Sequence, residues 1–147
     1  MKYGGFRART CPLSGQGGTL TGMDEFPAFM KKPANRIATS AQATPGVEGY
    51  VFDGADGSQM AFWTCHETAA SVLHVHDYDE YMLVVAGCYT LIVNGERVPI
   101  WRGGEYVIPS GVEHGGEVIA GTRTIHMFAG HRASRAESLP ESLPQVQ

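Results

Sequence analysis

The chain has 147 residues and a formal net charge of −4, and its length suggests a single domain. Hydrophobic residues make up 43 % of the chain and charged residues 18 %, which provides material for a core and excludes the composition of a disordered protein. No cluster of lysine and arginine suggests nucleic-acid binding and no apolar run is long enough to span a membrane, so we expect neither partner.

Residues 1–35 are predicted to form an N-terminal extension, flexible over residues 1–20, where Gly, Ser and Thr recur without a period. The same stretch has basic side chains but no apolar segment of the kind found in secretory signals, so we expect a cytoplasmic protein. Residues 24–40 mix aromatic residues with two prolines. Such a segment packs either on a second subunit or on its own chain, and the sequence leaves both alternatives open.

Strand signals become regular from residue 47 and are separated by turn residues. The clearest is a hairpin over residues 88–101, because Asn94-Gly95 lies between two apolar runs and both residues tolerate positive φ. A break in the strand pattern is expected at residues 68–70. The other predicted strand regions are 47–54, 58–67, 71–76, 80–87, 105–111 and 117–130. Strands at intervals of roughly 8–12 residues predict an all-β sandwich or barrel.

The predicted barrel covers residues 36–131, and residues 132–147 are predicted to be a disordered tail. This tail contains two copies of Glu-Ser-Leu-Pro and little else that is apolar. Arg132 follows the last predicted strand, and we expect it to lie outside the barrel.

Cys11, Cys65 and Cys88 are odd in number, far apart in the sequence, and include no Cys-x-x-Cys pair. This pattern does not indicate a disulfide framework. We expect reduced thiols, with Cys65 and Cys88 inside strands as small apolar residues. Metal ligation and redox chemistry are the alternatives.

The stretch His74-Val-His76 suggests a metal site, because alternate side chains of a strand point to the same face. A short turn follows, and Glu80 begins the next predicted strand. If that strand pairs back antiparallel, Glu80 returns to the face of the two histidines, and Met82 and Val84 continue into the barrel interior.

Two spaced patterns contain these residues. The first reads His-x-His-x3-Glu-x6-Gly over residues 74–87, and the second reads Gly-x5-Pro-x-Gly-x2-His over residues 103–114. Together they resemble the paired motifs of the cupin family, in particular those of small single-domain bacterial cupins. Thr68 and Val118 depart from the family pattern, at positions that supply no metal ligand.

The resemblance implies an antiparallel β-barrel of the jelly-roll type with one divalent metal ion inside it. The residues that match the metal-binding positions of the motifs are His74, His76, Glu80 and His114. The resemblance also implies a homodimer, since small cupins pair through sheet faces or exchanged N-terminal strands. Residues 24–40 are then the candidate contact.

Three imidazoles and one carboxylate suit Fe, Mn, Zn, Ni or Co as divalent ions, and an octahedral ion would keep open positions for a ligand. We therefore predict a metal-dependent enzyme, either a dioxygenase or an isomerase or lyase, that acts on a small oxygen-rich organic molecule. Glu80 is the first candidate catalytic residue, because this metal ligand could leave the ion during the reaction and take up a proton. The alternative is a non-catalytic barrel that binds or senses a small ligand through the same metal.

His126 is the second candidate catalytic residue. In a strand it shares one face with Thr122, Thr124 and Phe128, whereas Ile125 and Met127 share the other face. If the polar face points inward, His126 lies beside the metal, where it can act as a general acid or base near neutral pH. The apolar face can equally be the buried one, in which case His126 is a surface residue.

Overall fold

The computed structural model describes residue 11, residues 25–42 and residues 44–136. In these residues the chain forms short 3-10 helices at Ala28–Met30, Pro33–Asn35 and Thr39–Ala41, followed by β-strands. The strands are β1 (Val47–Asp53), β2 (Gln59–Cys65), β3 (Ala69–Ala70), β4 (Glu80–Ala86), β5 (Cys88–Val93), β6 (Glu96–Trp101), β7 (Glu105–Ile108), β8 (His114–Val118) and β9 (Arg123–Phe128). None of the described helices has the length and apolar character needed to cross a membrane.

The strands form two antiparallel sheets, with the orders β1-β2-β9-β4-β7 and β3-β8-β5-β6. The sheets pack face to face, because Met82 and Val84 of the first sheet share a buried cluster with Leu91 and Val93 of the second. Met82 and Val84 are fully buried, as predicted. The predicted all-β, antiparallel jelly-roll fold is therefore confirmed.

The predicted hairpin between β5 and β6 is also confirmed. Val93 pairs with Glu96, and the two loop residues Asn94 and Gly95 have φ values of 51° and 76°. Positive φ at both central residues is the geometry of the two-residue hairpin turn that follows the natural twist of the strands.

The predicted strand over residues 71–76 is wrong as a regular strand. Ser71 is hydrogen-bonded to Gly116, and His74 to His114, so this segment has one residue more than the facing stretch. An extra residue of this kind interrupts a ladder in the manner of a β-bulge. The expected break at residues 68–70 is also wrong, because Ala69–Ala70 form β3 and pair with β8.

The described part of the N-terminal extension packs on its own chain. The ring of Phe26 contacts the ring of Phe62 with a centroid distance of 5.5 Å, and the amide of Ile37 donates to the carbonyl of Gly49. Ile37 is 1 % exposed and belongs to a buried cluster. Of the two alternatives for residues 24–40, contact with the own chain is thus observed, and contact with a second subunit stays a prediction.

The first residues of the predicted tail are ordered, contrary to the expectation for residues 132–147. Ala133 is 2 % exposed, and Arg135 forms a β-bridge with Ile37. Buried Gln59 also accepts hydrogen bonds from the amides of Arg132 and Ala133. The prediction of disorder is therefore wrong for residues 132–136, and residues 137–147 lie outside the described part of the chain.

The expectation of three reduced cysteines is wrong for two of them. Cys11 and Cys88 form a disulfide across a sequence separation of 77, with a Cα–Cα distance of 5.9 Å. A count of cysteines and their spacing contains no signal for this pairing, because it depends on where residue 11 lies against β5. Cys65 is a free, buried thiol, as predicted.

Gly116 in β8 permits a close approach that shapes the barrel interior. A Cβ atom at this position would lie 2.0 Å from the hydroxyl oxygen of Tyr89. Tyr89 belongs to β5, the strand that pairs with β8. At neighbouring Gly115, the nearest contact would be 3.0 Å, to the end of the half-exposed Leu73 side chain. The rigid aromatic ring has less freedom to move than the leucine.

We predict that Gly116→Ala lowers the free energy of unfolding by about 1–3 kcal/mol, the usual cost of overpacking. Gly115→Ala is the matched control and should cost less, because Leu73 can move into solvent. Urea denaturation of the two variants and the wild type measures both effects. Equal stabilities of the two variants would contradict this view of the Gly116–Tyr89 contact.

Candidate metal centre

Three histidines converge where the segment before β4 meets β8. The possible ligand nitrogens of His74, His76 and His114 all lie within 4.8 Å of one another. His74 and His114 are held together by two backbone hydrogen bonds of 2.9 Å, which join the irregular segment before β4 to the first residue of β8. The sequence prediction that His74 and His76 reach one point is supported, although the segment is not a regular strand.

Backbone carbonyls fix the orientation of two of these imidazoles. Nδ1 of His74 lies 2.9 Å from the carbonyl of Val72, and Nδ1 of His114 lies 2.8 Å from the carbonyl of Val112. A carbonyl only accepts hydrogen bonds, so each Nδ1 is the protonated nitrogen. In the neutral imidazole Nε2 then carries a lone pair, which is the tautomer that binds a metal.

Glu80 reaches the same region from the opposite sheet. Its Oε2 lies 3.2 Å from Nε2 of His114 and 3.3 Å from Nε2 of His76. The predicted pairing of the Glu80 strand with the His74 segment is wrong, because β4 pairs with β7 and β9. Glu80 nevertheless arrives at the histidines because its side chain lies on the inner face of β4.

His126 lies on the inward face of β9, which is the first of the two alternatives left by the sequence. Thr122 and Thr124 of this face are 0 % and 2 % exposed, whereas Met127 of the other face is 52 % exposed. Nδ1 of His126 is 2.6 Å from Oε1 of Glu80, and its Nε2 is 2.9 Å from the Thr124 hydroxyl. His126 is therefore a direct neighbour of Glu80.

The surroundings favour an ionised Glu80 and a neutral His74. Burial alone would raise the pKa of Glu80, yet hydrogen bonds with His114 and His126 hold this pKa well below its usual range. Burial lowers the pKa of His74. Burial also tends to lower the pKa of His114, but its contact with Glu80 and its hydrogen bond to the Val112 carbonyl raise it overall.

The donor set fits a divalent metal ion. Nε2 of His76 is buried and has no hydrogen-bond partner among the described residues. With Nδ1 of His114 bonded to the Val112 carbonyl, Nε2 can donate to Glu80 only when His114 is an imidazolium. In neutral His114, Nε2 and ionised Glu80 face each other with lone pairs at 3.2 Å, a repulsion that a cation between them removes. Adjacent ligands that each lie about 2.1 Å from one ion are separated by about 3 Å, close to these spacings.

A cavity of about 70 Å³ is lined by His74, His114 and Glu80, and also by His126. Trp63 and Phe128 form aromatic parts of its wall, and Gln42 and Arg132 contribute polar groups. Cys65 also lines the cavity, but burial raises the pKa of its thiol to about 12, which disfavours the thiolate that binds metals. The cavity therefore combines a nitrogen and oxygen donor set with a small space for a ligand.

Several contributors to the site were missed by the sequence prediction. Arg132 lines the cavity, although we expected it outside the barrel. The ring of Tyr78 stacks on that of His76 with a centroid distance of 4.8 Å and an interplanar angle of 11°. Neither strand periodicity nor motif spacing signals these two residues, because both lie in irregular segments beside strands.

A family model for the cupin domain matches residues 61–129. No curated protein matches the chain. Solved cupin structures do match: an RmlC-like cupin from Shewanella frigidimarina is 21 % identical, with 59 % of this chain and 78 % of that chain covered and a TM-score of 0.55.

The chain is also similar to the polyketide cyclase RemF from Streptomyces resistomycificus, at 18 % identity and a TM-score of 0.57, with 74 % of this chain and 82 % of that chain covered. A salicylate 1,2-dioxygenase from Pseudaminobacter salicylatoxidans is 15 % identical with a TM-score of 0.54. That match covers 57 % of this chain and 26 % of the dioxygenase. At these identities the likeness concerns the fold alone. Residues 61–129 therefore match the cupin domain in sequence, and the fold around them is similar to that of solved cupin structures.

Proposed function

We propose that this protein is a metal-dependent enzyme that acts on a small, oxygen-bearing organic molecule. The observation that carries the proposal is the convergence of three imidazoles and one carboxylate next to a cavity. The proposed ligands are His74, His76, His114 and Glu80. The ion would be Fe, Mn, Zn, Ni or Co, which all accept imidazole and carboxylate donors.

The bound ion would supply Lewis acidity to an oxygen atom of the substrate. The other requirements fall on side chains of this chain. Trp63 and Phe128 in the cavity wall exclude water from part of the space beside the histidines. A drier site strengthens the interaction between charged groups and the substrate.

Glu80, His126 and Thr124 form a hydrogen-bonded series suited to proton transfer. Ionised Glu80 only accepts hydrogen bonds, so Nδ1 of His126 donates to Oε1, and the Thr124 hydroxyl donates to Nε2 of His126. Glu80 thus has a defined proton donor within 2.6 Å on the side away from His114. We propose that Glu80 takes a proton from the substrate and that His126 stabilises or shares it.

A group that moves a proton favours isomerase or lyase chemistry, whereas a dioxygenase reaction uses the same four ligands with less need for the His126 contact. The similarity of this fold to a dioxygenase and to a polyketide cyclase does not favour either reaction, because one fold supports many activities. The proton-transfer version is the one that the Glu80–His126 distance supports.

We predict that the wild type binds one Co(II) or Zn(II) ion per chain and that His76→Ala weakens this binding by more than about 100-fold. The reason is that loss of a direct ligand should exceed the 10–100-fold cost of losing a group that only orients one. Isothermal titration calorimetry after removal of endogenous metal measures both affinities. His66→Ala is the matched control, because His66 is exposed, contacts Glu48 and does not line the cavity.

Equal affinities of wild type and His76→Ala would refute the metal site. A loss of affinity in His66→Ala as large as that in His76→Ala would also count against it, since it would indicate nonspecific binding.

We predict that His126→Phe keeps one metal ion per chain but lowers turnover by about 100-fold or more, the usual contribution of a proton-transferring group. A screen of small hydroxy acids, oxo acids and sugars with the metal-loaded protein identifies the reaction to be measured. Met127→Ala is the control, because Met127 is on the exposed face of the same strand. Saturable ligand binding by the wild type without any turnover would instead support the non-catalytic alternative.

A further inference from the structure

Arg132 is a lining residue of the cavity, and its backbone is held by a buried side chain. Its amide donates to Oε1 of Gln59 at 2.6 Å, and Nε2 of Gln59 in turn donates to the carbonyl of Ala133 at 3.1 Å. Gln59 itself is 3 % exposed. The half-buried Arg132 side chain lines the metal-site cavity and also a shallower depression shared with His74 and His76. The backbone of Arg132 is therefore anchored at a buried residue, and its side chain adjoins both depressions beside the histidines.

The charge of Arg132 is not paired within the described part of the chain. Among the described residues, its guanidinium donates one hydrogen bond, from Nη1 to the carbonyl of Ala41, at the long distance of 3.4 Å. A guanidinium has five N–H donors, so most of them are available. By contrast, Arg97 and Arg135 each form an ion pair, with Glu117 and Asp53 respectively.

The charge balance around the cavity favours an anionic ligand. Glu80 is the one carboxylate among the described residues that line the cavity, and it is already in contact with three imidazoles. With neutral histidines, a divalent ion, Arg132 and ionised Glu80 together carry a net charge of about +2. Such a site attracts an anion and discriminates against a neutral molecule of the same shape.

We propose that Arg132 binds the carboxylate of a small 2-hydroxy or 2-oxo acid, whose neighbouring oxygen atom then faces the proposed metal. This inference rests on the proposed function, because it names the substrate class of the same site. The planar guanidinium matches a carboxylate with two parallel hydrogen bonds. The cavity of about 70 Å³ restricts the acid to a few heavy atoms.

A phosphate group suits this site less well. Phosphate sites supply several N–H donors from a helix N-terminus or a glycine-rich loop, or several cationic side chains. Of the described residues that line the cavity, Arg132 is the one arginine or lysine, and much of the remaining wall is apolar or aromatic, with Val47, Trp63, Val118 and Phe128. The cavity therefore offers one guanidinium group next to apolar surface, which suits a small carboxylic acid.

The test uses the full-length protein loaded with Co(II), whose visible absorption reports ligand binding, and calorimetry of the Zn(II) form as a second readout. Lactate and pyruvate are the probes, and 1,2-propanediol and hydroxyacetone are their neutral counterparts. We expect saturable binding of both acids by the wild type. Arg132→Gln should weaken this binding by about 10- to 100-fold, the value of hydrogen bonds to a charged group, and should leave binding of the neutral molecules unchanged.

Two further variants control for charge and folding. Arg132→Lys retains the charge without the planar fork, so its affinity for the acids should lie between those of wild type and Arg132→Gln. Arg102→Gln removes one charge at an exposed residue that does not line the cavity, and should bind the acids like the wild type.

The outcomes separate this inference from the metal site. Metal binding with equal acid affinity in wild type and Arg132→Gln, or with no acid binding by the wild type, overturns the role of Arg132 alone. Failure of the wild type to bind metal overturns the proposed function itself. Inorganic phosphate that binds more tightly than lactate and depends on Arg132 overturns the assignment to carboxylic acids.

Discussion

The candidate site depends on the orientation of imidazole lone pairs by backbone carbonyls. Val72 and Val112 each accept from the Nδ1 of the histidine two residues later, and this directs the Nε2 atoms of His74 and His114 inward. Without these two contacts either ring could adopt the other tautomer, and the arrangement around Glu80 would have no reason to bind a cation. The carbonyls are therefore as important to the site as the side chains.

These contacts exist because two irregular segments meet. The extra residue before His74 and the turn before His114 both present carbonyls toward their own histidine. Gly111 has a positive φ of 81°, and its amide donates to the carbonyl of His76, so the turn also holds the third histidine. The deviation from a regular ladder thus serves the site, as bulges next to functional sites often do.

Strand periodicity and turn residues predicted the all-β class, the β5–β6 hairpin and the shared face of His74 and His76, whereas the jelly-roll type and the inclusion of His114 were implied by the resemblance of the two motifs to the cupin family. Each of these depends on local sequence: two-residue alternation, the Asn94-Gly95 turn, and fixed spacings within the two motifs. The errors concern features without a local signal. The Cys11–Cys88 pairing and the inward position of Arg132 are set by how distant segments pack, as is the order of residues 132–136.

The central claim is that His74, His76, His114 and Glu80 bind one ion through nitrogen and oxygen donors. X-ray absorption spectroscopy of the Co(II)- or Zn(II)-loaded wild type and of His114→Ala tests it most directly. The account predicts a wild-type shell of three imidazoles plus oxygen at about 2.0–2.2 Å, and one imidazole fewer in the variant. A wild-type shell that contains sulfur at about 2.3 Å, or an unchanged number of imidazoles in His114→Ala, would contradict it.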